Sequence, residues 1–140
     1  MNNMKQLRET IRKLLKEMQD PTYSFIEELS TMFEDRGSDG MVRTYPDGCE
    51  VLFQIEPTGG VDAYFHTIET IGNNCLRKGY ARDTMQSICK IADKYSVFLT
   101  LDAVPFDSGR DMPDSGDLQK FYRSFGFETL EDTQMERAPR

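Results

Sequence analysis

Ile71-Gly72-Asn73-Asn74-Cys75-Leu76-Arg77-Lys78-Gly79-Tyr80-Ala81 is the stretch that decides how this chain is read. Upstream, residues 61–71 form an apolar-rich segment with the spacing of a long strand. Downstream, Met85, Ile88, Cys89, Ala92 and Tyr95 recur at helical spacing, and residues 97–104 are a nearly continuous apolar run suited to a strand buried on both faces. Strand, helix and strand in that order predict a right-handed crossover with the two strands parallel. Gly79 and Ala81 have little or no side chain, so the unpaired amides at the start of the helix can approach a ligand closely. The positive end of the helix dipole, Arg77 and Lys78 all add positive charge at the same place, and a diphosphate is the natural guest. The bland alternative is a plain strand-to-helix turn with a basic, solvated corner.

Toward the N-terminus, Arg36-Gly37-Ser38-Asp39-Gly40 is a breaker cluster where the apolar period changes. Before it, Leu7, Ile11, Leu14, Leu15 and Met18 define one amphipathic helix, and Phe25, Ile26, Leu29, Met32 and Phe33 a second. Asp20-Pro21 separates them, because Asp20 can cap the new first turn and Pro21 lacks the amide hydrogen that would go unpaired there. After the cluster, residues 41–45 and 49–55 flank the turn Pro46-Asp47-Gly48. Pro57-Thr58-Gly59-Gly60 is a second turn, so these two segments and residues 61–71 predict an antiparallel meander. The fold class is therefore α/β of the mixed α+β kind. A central mixed sheet carries flanking helices behind an N-terminal helical hairpin. A chain of 140 residues supports one domain. Its parts are the hairpin (1–36), the antiparallel strands (41–71), the loop, helix and parallel strand (72–104), and a helix with terminal strands (117–140).

Composition narrows the function classes. Apolar residues make up 38% of the chain, with nine Phe and six Tyr, enough for a packed core. A net charge of −7 would repel a nucleic-acid backbone or an anionic membrane, and suits a cationic partner such as an amine, although solubility alone accounts for the charge equally well. No apolar run is long enough to span a bilayer and Met1-Asn2-Asn3 is unlike a signal peptide, so a cytoplasmic location is expected. Cys49, Cys75 and Cys89 are odd in number, scattered and near only His66; they are expected to be reduced thiols, neither disulfides nor a zinc site, and no metal is expected.

Beyond the polar segment 105–116, Leu118, Phe121, Tyr122 and Phe125 make a short helix that Gly126 can end in a left-handed conformation, letting Phe127 fold back onto it. Residues 127–130 and 134–138 read as terminal strands. Leu76-Arg77-Lys78-Gly79-Tyr80-Ala81 and Phe121-Tyr122-Arg123-Ser124-Phe125-Gly126-Phe127, in this order, resemble two motifs of the GNAT superfamily of acyl-CoA N-acyltransferases. These are a phosphate loop of the form Arg/Gln-x-x-Gly-x-Gly/Ala and a later Phe-Tyr-x-x-x-Gly-Phe helix. The resemblance spans residues 61–127. It departs at Leu76, where the family has Arg or Gln, and at the start, which is helical where the family opens with a strand.

The resemblance implies an N-acetyltransferase that moves an acetyl group from acetyl-CoA, as co-substrate, to a primary amine of a small molecule or protein. It implies cofactor contacts from Ile71, Leu76, Arg77, Lys78, Gly79, Tyr80 and Ala81. A backbone amide around residues 69–71 would hold the oxyanion, and Tyr122 would be the proton donor to the departing thiolate. Glu69, or else His66, would take the proton of the incoming ammonium; strand alternation puts these two on opposite faces, so at most one acts, and Glu69 is preferred. Asp102, Asp107, Asp111, Asp114 and Asp117 would draw a cationic acceptor, or are simply solvated. The alternative reading is a non-catalytic module of the same fold that binds or inhibits a partner protein. The N-terminal hairpin would suit a homodimer contact as readily as a cover for the acceptor cleft.

Overall fold

The computed structural model describes residues 4–10, 21–104 and 115–140. Residues 4–10 are helical (α1), and every one of them is exposed, Met4 and Leu7 included. Most of the first amphipathic stripe, Ile11 to Met18, lies outside the described residues. The second stripe forms α2 (Pro21–Met32), which buries Phe25 and Leu29 completely. Met32, expected in that stripe, is exposed. It is the last residue of the helix, and Phe33 just beyond takes the core slot, meeting Phe53 edge-on at 4.9 Å.

One mixed sheet of seven strands, ordered β1-β2-β3-β4-β5-β7-β6, organises the described residues. The strands are β1 (Glu34–Asp35), β2 (Met41–Thr44), β3 (Glu50–Gly59), β4 (Asp62–Ile71), β5 (Phe98–Asp102), β6 (Glu128–Glu131) and β7 (Gln134–Arg137). The meander β2-β3-β4 is antiparallel and β4 pairs with β5 in parallel, with α3 (Tyr80–Lys94) crossing between them as expected. The small strand β1 was not foreseen. It follows the helices and pairs with β2, and Arg36 fixes its end by reaching Glu34 at 3.0 Å and Glu50 at 2.7 Å. The second expected turn is shorter than its letters suggested. Pro57 stays in β3 opposite Ala63, at an irregularity of register where a residue without an amide hydrogen is tolerated.

The face of the sheet bearing Phe53, Ala63, Phe65, Leu99, Leu101 and Met135 joins Phe25, Leu29, Met85 and Ile88 from the helices in one hydrophobic cluster. Helix α4 (Ser115–Arg123) adds Tyr122, and Phe125 and Phe127 follow it. Gly126 has φ +98° and the Phe127 amide donates to the Tyr122 carbonyl at 3.3 Å, the left-handed termination expected of that glycine. A buried fork closes the far end. Arg137, 4% exposed, donates to both Asp93 carboxylate oxygens at 2.7 and 2.9 Å and to the Phe125 carbonyl at 2.7 Å. No described helix is long and apolar enough to cross a membrane.

Two consequences are measurable. Phe53→Ala removes a fully buried ring between Phe33 and Phe65, and should cost about 3–5 kcal/mol in urea unfolding. Burial alone would raise the Asp93 carboxyl, but hydrogen bonds from Arg137 and the Arg140 amide, with the charges of both arginines, hold it below the usual range. A carboxyl lowered by folding contributes stability above its unfolded pKa and loses it as pH falls through the folded value. Stability of the wild-type protein should therefore drop more steeply in acid than that of Asp93→Asn, measured by unfolding midpoints from pH 7 down.

Candidate functional site

The site begins where two strands part. Strand β4 pairs with β3 along nearly its whole length, yet its ladder with β5 holds only from Asp62↔Phe98 to Phe65↔Leu101. Strand β5 ends at Asp102 while β4 continues to Ile71, so from His66 onward the β5-facing edge of β4 has no partner strand among the described residues. His66 is also the extra residue of a bulge, because the β3 pairing steps from Ile55↔Phe65 to Gln54↔Thr67. The bulge resets the inside-outside alternation: Phe65 and Ile68 both contact the core, while His66 meets Tyr64 and Glu56 on the other face. The two-residue period therefore fails across this point, and His66 and Glu69 do not lie on opposite faces. Glu69 is exposed and sits opposite Leu52.

Beyond Ile71 the chain winds through a series of left-handed positions. Gly72, Asn74, Arg77 and Gly79 have φ of +124°, +59°, +66° and +80°. Gly79 occupies the position before α3, and the first helical hydrogen bond runs from the Asp83 amide to its carbonyl at 2.9 Å. The amides of Tyr80, Ala81 and Arg82 precede that bond and remain available to an anion. A Cβ built on Gly79 would meet nothing within 4 Å, so the approach is open.

A second chain segment fixes this loop. The tip of the β2–β3 hairpin presents Asp47, whose Oδ2 accepts from the Tyr80 hydroxyl at 2.6 Å and from Lys78 Nζ at 3.0 Å, while its Oδ1 accepts from the Cys49 amide at 3.1 Å. These donors, Tyr80 first, hold the Asp47 carboxyl down to about 2, and the same bond pushes the Tyr80 phenol up. Tyr45 stacks on Tyr80 at 3.9 Å, and its hydroxyl donates to the Tyr80 carbonyl at 3.0 Å. Cys49 and Cys75 are joined by a disulfide with Cα atoms 5.6 Å apart, which corrects the expectation of reduced thiols at these two positions. The scatter along the chain was misleading, since the hairpin and the loop meet although 26 residues separate the cysteines. Gly72 is required by this bridge, because a Cβ there would lie 2.6 Å from the Cys75 sulfur. Cys89 remains a thiol, and burial pushes it up to about 11.

The residues expected to hold a diphosphate thus divide into two groups. Gly79, Tyr80 and Ala81 offer backbone amides, and Arg77 is exposed beside them; the side chains of Lys78 and Tyr80 are already engaged with Asp47. Leu76 is 62% exposed, and Ile71 is exposed where β4 ends. Tyr122 lies on the helix side of the sheet, its ring edge-on to Phe65 at 6.5 Å and to Phe127 at 5.6 Å. Burial pushes its phenol up to about 12. The raised value keeps the hydroxyl protonated and therefore a hydrogen-bond donor. Asp102 is exposed and accepts from Thr133; Asp117 is exposed in the first turn of α4; Asp107, Asp111 and Asp114 lie outside the described residues. Among the described residues no cluster of His, Cys, Asp and Glu could hold a metal ion.

Mass spectrometry after alkylation checks the disulfide. The unfolded, unreduced protein should take up one alkyl group, at Cys89, and three after reduction; three before reduction would contradict the bridge. In comparisons with known proteins, no family model, no curated protein and no solved structure matches this chain.

Proposed function

We propose that the chain is an acyl-CoA-dependent N-acyltransferase of the GNAT kind, transferring an acetyl group from acetyl-CoA to a primary amine. The observation that carries this reading is the parting of β4 from β5 at His66, directly upstream of a loop that ends in three available amides. A long, thin ligand with a diphosphate at one end fits that layout. The diphosphate would sit on the amides of Tyr80, Ala81 and Arg82 with Arg77 beside it, and the acyl end would enter the gap between the strands. Backbone groups of β4 beyond Phe65 would receive the oxyanion, a stabilisation worth several kcal/mol when the donors are fixed in advance. Tyr122, approaching from the helix side next to Phe65, would donate a hydrogen bond to the departing sulfur. Glu69 or His66, on the opposite side of the strand, would take the ammonium proton. An acyl-CoA donor makes a cytoplasmic setting the natural one, and in it Cys49–Cys75 would be an uncommon, well-buried disulfide.

The engagement of Lys78 by Asp47 removes one expected cation from the ligand and favours, as a second reading, a module of this fold that binds a partner protein without turnover. Calorimetry with acetyl-CoA separates the two. The acyltransferase reading expects saturable binding, abolished in Gly79→Glu, which adds bulk and negative charge to the open approach. It also expects Tyr122→Phe to bind acetyl-CoA as the wild type does while kcat falls about ten- to hundredfold, the value of one hydrogen bond to a charged group. Absence of binding would leave the second reading.

A further inference from the structure

We infer that the Cys49–Cys75 bridge is a redox latch on residues 72–79: bridged, it holds Arg77 and the amides at the start of α3 ready for an anion, and reduced to two thiols it releases the loop and weakens that site. This inference rests on the acyltransferase reading, in which those groups meet the diphosphate, and adds a control to it. Residues 71–74 and 76–79 are all exposed, and Cys75 between them is buried, at 3% exposure. It is the buried anchor of this loop. Among the described residues, no backbone–backbone hydrogen bond outside the helices and strands involves residues 72–78. The chain turns over the bridge itself at Gly72, where an added Cβ would lie 2.6 Å from the Cys75 sulfur and 3.8 Å from the Cys49 Cα.

The second fastening is the Asp47 carboxylate, which accepts from Lys78 at 3.0 Å and from Tyr80 at 2.6 Å. It is coupled to the first, because the same carboxylate accepts from the Cys49 amide at 3.1 Å, so the residue that carries the bridge also positions the clamp. Asn74 and Arg77, on either side of Cys75, have φ of +59° and +66°, conformations that a residue with a side chain keeps only while its surroundings impose them. Once the bridge opens, both relax and Arg77 leaves its place beside the amides. The start of α3 stays through contacts that involve neither cysteine: Tyr45 stacks on Tyr80 at 3.9 Å, and Arg43 pairs with Asp83 at 3.1 Å. The latch therefore acts on the loop and not on the fold.

The step needs a dithiol reductant and balances with it. One thiolate of the dithiol attacks a bridge sulfur, the S–S bond breaks with its electron pair going to the other cysteine, and that thiolate takes a proton. The second dithiol sulfur then attacks the mixed disulfide and releases the remaining cysteine. Cys49 and Cys75 each gain one electron and one proton, and the dithiol becomes a disulfide. Both cysteines are 3% exposed, so the first attack waits on an opening of the exposed loop around Cys75. Cys89, packed in the core, takes no part. An acyl-CoA donor would place the protein among reducing thiols, where the bridges that form serve redox sensing or catalysis more often than structure.

15N relaxation of the whole chain, oxidised and then treated with dithiothreitol as the dithiol, reads the latch without any ligand. Backbone order parameters of residues 72–79 should fall from about 0.85 to below about 0.6 on reduction, while those of Phe65 and Leu99 hold, and reoxidation should restore them. Cys49→Ser with Cys75→Ser should show the low values with or without dithiothreitol. Titrations with pyrophosphate and, separately, with acetyl-CoA should give affinities about tenfold weaker in the reduced protein, because the ligand must then order Arg77 and its backbone itself. Equal order parameters in the two states overturn the latch and leave the acyltransferase reading intact, as do equal affinities. Loss of order at Phe65 and Leu99 as well also overturns it, since the bridge would then hold the fold rather than the loop. Redox-dependent binding of pyrophosphate without binding of acetyl-CoA keeps the latch and removes the acyltransferase reading. Failure of the bridged protein to bind either ligand removes both.

Discussion

Strand β4 is held by β3 over almost all of its length but by β5 for only four residue pairs, and the rest of the site depends on that inequality. A strand paired on both edges has no backbone to offer a ligand, because every amide and carbonyl is already satisfied. By losing one neighbour after Phe65, β4 keeps its position through β3 and presents an edge that no described strand pairs with. The bulge at His66 falls at the same residue, where it resets the faces of the side chains that follow and sharpens the local twist. Packing preserves the gap. Phe65 and Leu101, the last pair before it, both belong to the buried cluster, so the strands are pinned together just upstream of where they separate.

The loop that follows carries an energetic burden. Asn74 and Arg77 sit at positive φ without the freedom of glycine, a conformation that persists only when neighbouring structure imposes it. The hairpin tip supplies that imposition through Cys49–Cys75 and through Asp47, which binds Lys78 and Tyr80 together. The negative charge of Asp47 beside the proposed anion site is shared between an ammonium and a phenol, and Arg77 remains exposed next to the amides at the start of α3. For the proposed ligand this rigidity would be an advantage, since a cradle ordered in advance does not have to be ordered by its ligand.

Much of this architecture was legible in the sequence, for physical reasons that can be named. The helical period of Met85, Ile88 and Ala92 and the continuous apolar run at Leu99 and Leu101 required a crossover helix and a buried parallel strand. Gly126 announced its left-handed turn because no other residue adopts that conformation at so low a cost. What was missed depends on contacts between distant segments. The disulfide, the clamp by Asp47 and the short strand β1 arise from chain approaches that no local period encodes. The bulge at His66 is invisible for a related reason: a single inserted residue changes the register with β3 without altering the composition of β4, and the face on which every later side chain lies changes with it.

Backbone amide NMR of the uniformly 15N-labelled protein, titrated with acetyl-CoA, tests the central claim most directly, because it reads the ligand's path residue by residue. The account predicts saturable shifts at two separated places, the amides of residues 77–82 and those of β4 from His66 to Ile68, with smaller changes around Tyr122. Shifts confined to other surfaces, or none at saturating ligand, would contradict a site built on the parting of β4 from β5.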